Sequence, residues 1–372
     1  MIVNFLSFHS ILRRKKTGVQ IHDINILQSL IAIGVDVRIF DFSKESTYNQ
    51  EELITYNSTE ILSRVVFSKL PFFWSAHLPM RFAFGRNAPK RGELCIVDSC
   101  LPRGIRKKDV IAILHDLMPM IYPQNYPNIK PYIRYLRQIS CVSQIWANSN
   151  STKNDYAHFF PERTAEINVV PCALPELENS KLIGEKDFLW RGKDYVYYIG
   201  DMRRNKNLCK AVSAFLEYCK EKKDIYFFVA GAKSIEYESL KAVVENDKVN
   251  GKNVVFTGYI SDEEKTDLIS HARALFFVSE YEGFGIPIVE AMSAEVPVIT
   301  SNCSSMKEIA DGVAVMVNPK EDKSIIEALR RVFSFNDDER KKMIRQAKQR
   351  ASCYNQLAQM RIIKSILSNS VE

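Results

Sequence analysis

Short, largely apolar runs alternate along the chain with longer segments of helical spacing. Residues 275–278 are all apolar, and largely apolar runs also occupy residues 2–8 and 94–99. Such runs are typical of strands buried on both faces of a parallel sheet. Residues 2–42 give the order strand, loop, helix, strand, which predicts a doubly wound α/β sheet.

The predicted elements fall into two sets. Strands are predicted at residues 2–8, 35–42, 94–99, 109–114, 144–149 and 167–170, and again at residues 195–199, 225–230, 254–256, 275–278, 296–300 and 313–317. Between the sets, residues 176–193 are polar, with mixed charges and no clear period, which is typical of a linker. A chain of 372 residues also exceeds a single typical domain. We therefore predict two doubly wound α/β domains, with helices at residues 321–333, 337–352 and 354–367 after the last strand.

Composition narrows the class of protein and of partner. An apolar content of 46% and a charged fraction of 26% are ordinary for a soluble globular protein. The net charge of +7 suits an anionic partner such as a nucleotide, a phospholipid or a pyrophosphate-linked acceptor. It is too small to indicate nucleic acid, and no zinc-finger spacing or RNP-like motif is present.

Three further patterns bear on location and cofactors. The eight cysteines are scattered without a C-x-x-C pair or a histidine at metal spacing, which predicts free thiols in a reducing cytosol and no metal site. The first residues lack the charge order of a signal peptide, and no apolar run is long enough to span a membrane. We expect a cytoplasmic protein without a bound cofactor.

The stretch at residues 275–292 carries the strongest candidate chemistry. A predicted strand leads to Gly283 and Gly285, which allow the backbone to approach a ligand closely. Pro287 is placed where a helix can begin, and a helix start offers unpaired N–H groups to an anion. Glu282 precedes the glycines, and Glu290 is expected in the first helical turn. One turn can thus supply carboxylates to sugar hydroxyls and amides to phosphate.

The pattern Glu282-x7-Glu290 around Gly-Phe-Gly-Ile-Pro resembles the signature of retaining GT-B glycosyltransferases of family four. This resemblance implies two Rossmann-like domains facing a cleft: an acceptor-binding domain at 1–180, a nucleotide-sugar-binding domain at 190–353, and a final helix at 354–372 that crosses back to the first domain. It implies transfer of a hexosyl group with retention of configuration. Glu282 would orient the donor sugar and Glu290 the ribose, with the donor also bound by Gly283, Phe284, Gly285 and Ile286.

A second match lies at His115-Asp116-Leu117-Met118-Pro119, directly after a predicted strand. It resembles the His-Asp-Leu-x-Pro segment of mannosyltransferase-like members, in which the histidine lies beside the transferred sugar. His115 is therefore a candidate catalytic residue, although a lone histidine can also be purely structural. The segment favours GDP-mannose or a deoxyhexose donor, and a saccharide or lipid-linked acceptor in bacterial surface polysaccharide or glycolipid assembly.

The donor phosphates have candidate ligands in two loops. Related enzymes hold the pyrophosphate with an Arg-Lys-Asn segment, which here is Asn205-Lys206-Asn207, so that Lys206 matches and the arginine is displaced to Arg203 or Arg204. Gly18 marks the first loop, where donor phosphate and acceptor meet in similar enzymes, but a solvated basic loop explains it equally well. Tyr259 and Ile260 resemble the loop that contacts the nucleotide base, and a plain βα turn is the alternative. No Asp-x-Asp metal motif accompanies them.

Residues 62–91 mix aromatic and basic side chains, a combination that suits a membrane interface. Packing on the first sheet explains the aromatics as well, so peripheral attachment to an anionic inner membrane surface stays open. The sequence departs from the family pattern at Asn205 and in the first loop. These departures leave a catalytically silent partner subunit as an alternative function. A dinucleotide oxidoreductase is a weaker one, because Ile288 replaces the third small residue of its fingerprint and the next strand ends without an acid.

Overall fold

The computed structural model describes residues 1–7, 17–42, 61, 63–68, 80–174 and 188–369. The chain divides into two compact units, one made of Met1–Ala173 with Gln356–Glu372 and the other of Leu174–Asn355. Most of the predicted linker at residues 176–193 and part of the aromatic and basic segment at residues 62–91 lie outside the described residues.

The first unit is built on a seven-stranded parallel sheet in the order β3-β2-β1-β4-β5-β6-β7. Its strands are β1 (Ile2–Ser7), β2 (Asp36–Asp41), β3 (Val65–Phe67), β4 (Leu94–Val97), β5 (Val110–Leu114), β6 (Gln144–Ala147) and β7 (Glu166–Val169). In the register, Val3 lies between Val37 of β2 and Leu94 of β4. The strand order reverses between β1 and β4, and open α/β sheets bind ligands at such switch points.

The second unit repeats this plan with a six-stranded parallel sheet in the order β10-β9-β8-β11-β12-β13. Its strands are β8 (Asp194–Ile199), β9 (Ile225–Ala230), β10 (Val254–Gly258), β11 (Ala274–Phe277), β12 (Val298–Ser301) and β13 (Val315–Val317). The central strand β11 is completely buried because Leu275, Phe276 and their neighbours face helices on both sides of the sheet. Its carboxyl end leads into the glycine-containing turn.

Helices cover both faces of each sheet. They are α1 (Gly18–Ala32), α2 (Met80–Phe84), α3 (Met118–Ile121), α4 (Lys130–Ile139), α5 (Asn150–Phe159), α6 (Leu208–Tyr218), α7 (Tyr237–Asn246), α8 (Asp262–Ser270), α9 (Ile286–Ser293), α10 (Ser304–Ala310), α11 (Asp322–Ser334), α12 (Asp337–Ala351) and α13 (Gln356–Asn369). The two parallel sheets confirm the predicted fold class, and the ends of the predicted strands differ from the observed ones by at most two residues.

The last helix, α13, packs within the first unit. Its buried Gln359 accepts a hydrogen bond from the Ser29 hydroxyl of α1 (2.8 Å) and donates one to the carbonyl oxygen of Pro171 (2.7 Å). Ile363 on the same helix is fully buried in the core of that unit. The polar contacts fix the position of α13 along α1, and the apolar side chains supply the burial that holds it there. The predicted return of the final helix is confirmed.

Candidate active site

The turn between β11 and α9 has the predicted order of strand, glycine loop and helix. Gly285 is the residue before the helix and has φ 112° and ψ 52°, a left-handed conformation that favours glycine. A Cβ at this position would also lie 3.1 Å from Cδ1 of Ile288. Pro287 lies in the first helical turn, as predicted. Glu290 does not, because the left-handed glycine starts α9 at Ile286 and leaves no acidic residue in its first turn.

Two serines of the segment that opens α10 hold this turn in place. The Ser304 hydroxyl donates to the carbonyl oxygen of Glu282 (2.6 Å) and accepts from the Glu282 amide (3.2 Å). The fully buried Ser305 hydroxyl lies 2.6 Å from the carbonyl oxygen of Phe284. The ring of Phe284 is itself buried against the edge of Tyr354, so its side chain anchors the turn. Neither serine could be predicted as part of the site, since no local motif links them to a turn twenty residues earlier.

Lys206 and Glu282 form a buried ion pair. The Lys206 ammonium lies 2.8 and 2.9 Å from the two carboxylate oxygens of Glu282, and the side chains are only 17% and 10% exposed. Burial by itself lowers the pKa of Lys206, but the carboxylates of Glu282 and Asp201 outweigh it and raise that pKa. The lysine is therefore a cation in the resting site. Two residues with separately predicted roles, on phosphate and on sugar, contact each other here.

Hydrogen bonds made by Asn205 and Asn207 fix the segment on either side of Lys206 and direct the Lys206 side chain at Glu282. The Asn205 side chain is buried and donates to the carbonyl oxygen of Tyr281 (3.1 Å), while the backbone carbonyl oxygen of Asn205 accepts from the Glu280 amide (2.7 Å). Asn207 has φ 56° and donates to the carbonyl oxygens of Val278 (3.2 Å) and Pro319 (2.8 Å). Both asparagines thus tie the segment around Lys206 to the turn after β11. Asn205, where the sequence departs from Arg-Lys-Asn, therefore has a structural role, because its side chain links the segment around Lys206 to that turn.

The two candidate arginines lie at the surface with acidic partners. The Arg203 guanidinium lies 2.8 Å from Asp201 and Arg204 lies 3.7 Å from Glu236, with side chains 47% and 61% exposed. Exposed pairs of this kind are weak, about 0–1 kcal/mol, so either side chain can leave its partner for a phosphate. The geometry leaves the choice between Arg203 and Arg204 open.

Glu290 has a different environment from Glu282. Its carboxylate lies 2.6 Å from the ammonium of Lys265 on α8, and the Glu290 side chain is 14% exposed. Beneath it lies the buried Tyr197 of β8, whose pKa is raised well above its usual value by burial and by the Glu290 charge. The structure therefore separates the two glutamates, each with its own lysine. Of the remaining candidates in this unit, Tyr259 is exposed and Ile260 is half-buried, both directly after Gly258.

His115 and Gly18 belong to the first unit. Gly18 is the exposed first residue of α1, and the preceding residues 8–16 lie outside the described ones. His115 directly follows β5, and its Nε2 atom lies 3.2 Å from Oδ1 of Asp23. Its Nδ1 atom lies 3.3 Å from Nδ1 of His22, so that two neighbouring residues of α1 contact the imidazole. Sequence reasoning missed both contacts.

In residues 1–7, 17–42, 61, 63–68, 80–174 and 188–369, no group of three or more His, Cys, Asp or Glu side chains is arranged to hold a metal ion. Within the same ranges, every helix is too short or too polar to cross a bilayer.

Known proteins resemble this chain in sequence. Residues 184–350 match the profile of the family described as Glycosyl transferases group 1. O-antigen chain mannosyltransferase B of Escherichia coli is 26% identical over 229 residues, which is 58% of this chain and 59% of that protein. O-antigen chain mannosyltransferase RfbU of Salmonella typhimurium is 28% identical over 229 residues, 60% of this chain and 61% of the relative. The match thus spans about three fifths of the length of these relatives.

Solved structures share the fold over nearly the whole chain. Sucrose-phosphate synthase from Thermosynechococcus elongatus superposes with a TM-score of 0.73 at 14% identity, over 99% of this chain and 98% of that one. Anabaena HepE in complex with UDP and glucose superposes with a TM-score of 0.68 at 15% identity, over 99% and 100%. The chain has the GT-B fold, its second unit matches a glycosyltransferase profile, and it has mannosyltransferase homologues.

Proposed function

We propose that this protein is a retaining glycosyltransferase that moves a hexosyl group from a nucleoside-diphosphate sugar to an acceptor hydroxyl. The proposed pathway is the assembly of a bacterial surface polysaccharide or glycolipid, the setting of the O-antigen relatives. The observation that carries the proposal is the pair of Lys206 and Glu282 beside the amino end of α9. A cation, a carboxylate and the amino end of a helix at one strand end suit a ligand with both phosphates and hydroxyls.

The ion pair suggests how donor binding rearranges the site. A pyrophosphate that reaches Lys206 replaces Glu282 as its anionic partner, and the freed carboxylate then accepts hydrogen bonds from the sugar hydroxyls. The bond between the anomeric carbon and the phosphate oxygen breaks as the acceptor oxygen bonds to the same face of that carbon. The proton of the acceptor hydroxyl passes to the departing phosphate oxygen. Lys206 and the α9 amides offset the charge on the leaving group.

The donor sugar and base can be identified by thermal shift. GDP-mannose or a nucleotide-linked deoxyhexose is expected to raise the melting temperature by several degrees, since a ligand at about 100 times its Kd stabilises the folded state by about 2.7 kcal/mol. UDP-, dTDP- and CMP-sugars are the comparison set, and free mannose is the control. If no nucleotide sugar shifts the melting temperature more than free sugar does, the protein does not bind a donor of this class.

Exposed cations of the first unit support a proposal of attachment to an anionic membrane surface that presents a lipid-linked acceptor. One group surrounds α2, where Phe82 is 53% exposed and the neighbouring cations are Arg81, Arg86, Lys90 and Arg91. Another lines a concavity of about 460 Å³ over α4 with the exposed side chains of Lys107, Lys130, Arg134 and Arg137. None of the described residues that line this concavity is acidic. Each such cation near an anionic surface contributes about 1 kcal/mol.

Flotation with vesicles tests this attachment. The protein is expected to float with phosphatidylglycerol vesicles at low salt and to be released as salt rises, because exposed charges are screened. Reversing Arg134 and Arg137 to glutamate should weaken binding about tenfold or more. Lys252→Glu, at an exposed position of the second unit, is the matched control and should have little effect. Equal flotation with phosphatidylcholine vesicles, or with neither type, would contradict electrostatic attachment.

A further inference from the structure

Asp23 is a completely buried carboxylate in α1 with an unusual lack of hydrogen bonds. Both of its oxygens are shielded from solvent, and among the described residues only the His115 imidazole is placed to donate a hydrogen bond to them. The nearest cationic group is the imidazole of His115, with Nε2 3.2 Å from Oδ1. A buried carboxylate without donors is costly, so a positive charge beside it is the compensation that this position requires.

His22 fixes one proton of the His115 ring. The Nε2 atom of His22 lies 2.9 Å from the carbonyl oxygen of Val170, so it must carry the proton and donate. A neutral His22 then has a lone pair on Nδ1, and that atom lies 3.3 Å from Nδ1 of His115. His115 therefore donates through Nδ1. Burial, together with the charge of His115, lowers the pKa of His22 to about 3, which keeps His22 neutral.

The other ring nitrogen of His115 faces Asp23, so a second proton there gives a cation between a carboxylate and a neutral imidazole. Burial opposes that charge, but Asp23, Asp98 and Asp116 outweigh it and raise the pKa of His115. Cys172 and Tyr135, the other titratable groups here, stay neutral because burial raises the pKa of each. The His115 side chain is 12% exposed although its Nε2 atom is buried, so a ligand can reach only the exposed edge of the ring, whereas Asp23 is fully covered.

We infer that Asp23 is a positioning residue that holds His115 as a cation at the carboxyl edge of the first sheet. The inference rests on the proposed function and deepens it. His115 then offers an oxygen-rich or anionic group of the substrate a fixed positive charge and does not remove a proton from the acceptor. Asp23 acts on the substrate only through His115, since it has no exposed surface of its own.

The test is Asp23→Asn, which keeps the shape of the side chain and removes its charge. At neutral pH the variant is expected to lose about tenfold or more in kcat/KM, in the range seen when a partner that orients a functional histidine is removed. Activity should recover toward the wild-type value as the pH is lowered, because acid restores the proton that Asp23 normally holds on His115. Asp36→Asn, at a side chain that is 64% exposed, is the control and should leave the pH profile unchanged.

A double-mutant cycle separates this role from a purely structural one. In a His115→Gln background, Asp23→Asn should cost little further activity, because the group it acts through is already neutral. The same loss in both backgrounds, or a loss that acid does not relieve, would overturn the inference.

An NMR titration of the His115 ring decides the matter without turnover. The wild-type imidazole should be protonated at neutral pH, and Asp23→Asn should lower its pKa. A neutral His115 in the wild-type protein overturns the inference even if Asp23→Asn fails to fold. A charged His115 in a protein that transfers no sugar would instead count against the proposed function alone.

Discussion

Replacing Lys206 by methionine is expected to destabilise the second unit by about 3–5 kcal/mol, because the Glu282 carboxylate loses its cation while it stays buried. The pair is bidentate and its side chains are 17% and 10% exposed, so solvent replaces little of the lost interaction. The double variant Lys206→Met/Glu282→Gln removes both charges and should regain much of that stability. Urea denaturation of the single and double variants measures the coupling.

The same variants test phosphate binding. Lys206→Met should weaken nucleoside diphosphate binding about tenfold or more, since a charge-assisted contact contributes about 1.5–3 kcal/mol, while binding of the uncharged nucleoside should change little. The double variant should show the same ligand defect in a stable protein. Calorimetry with the nucleoside and with the nucleoside diphosphate measures both affinities in each variant. Equal losses for nucleoside and nucleoside diphosphate would contradict the assignment of Lys206 to pyrophosphate.

Most of the fold could be predicted from sequence because a parallel sheet buried on both faces leaves uninterrupted apolar runs. The elements that were missed have weaker signals. β3 has only three residues, all half-buried, and α7 and α8 were not assigned at all. The start of α8 nevertheless has a recognisable sequence motif. Ser261 and Glu264 form a capping box there, in which each side chain binds the other residue's backbone amide.

The candidate residues could be chosen from sequence one by one, but their contacts could not. Glu282, Lys206, Glu290 and His115 stood out because the sequence pattern puts each at or near a predicted strand end or helix start. Their partners come from distant positions, as with Lys265 for Glu290 and Asp23 for His115. Such pairs depend on which helices pack beside which strands, and the spacing of residues along the sequence does not reveal that packing. The structure therefore changes the expected behaviour of the variants more than it changes the set of candidates.

One consequence concerns histidine variants. His115→Ala removes a candidate catalytic residue and is expected to lower turnover. Because the variant also removes the imidazole beside the buried Asp23 carboxylate, it is expected to lower stability as well. A loss of melting temperature in that variant does not by itself show a structural role. The pH profile and the double-mutant cycle with Asp23 instead distinguish a structural role of His115 from a role in turnover.

The two glutamates of the central turn should fail in opposite ways. Glu282→Gln is expected to keep or tighten nucleoside diphosphate affinity, because the carboxylate no longer competes for the Lys206 ammonium. It should lower kcat by about 10- to 100-fold, since a contact of about 1.5–3 kcal/mol made mainly in the transition state appears in turnover. Free nucleoside diphosphate should also recover the stability that this variant loses, by binding the unpaired Lys206.

Glu290→Gln is expected to weaken free nucleotide and full donor alike by about 1–3 kcal/mol, through lost hydrogen bonds to the ribose hydroxyls. Lys265→Met is the matched control, because it removes the observed partner of Glu290 without touching the proposed ribose ligand. If Lys265→Met weakens nucleotide binding as much as Glu290→Gln does, the ion pair and not the ribose contact is responsible. Calorimetry with the nucleoside diphosphate and initial rates with the full donor measure both effects. Full turnover in Glu282→Gln, or equal loss of nucleotide affinity in both glutamate variants, would rule out this division of roles.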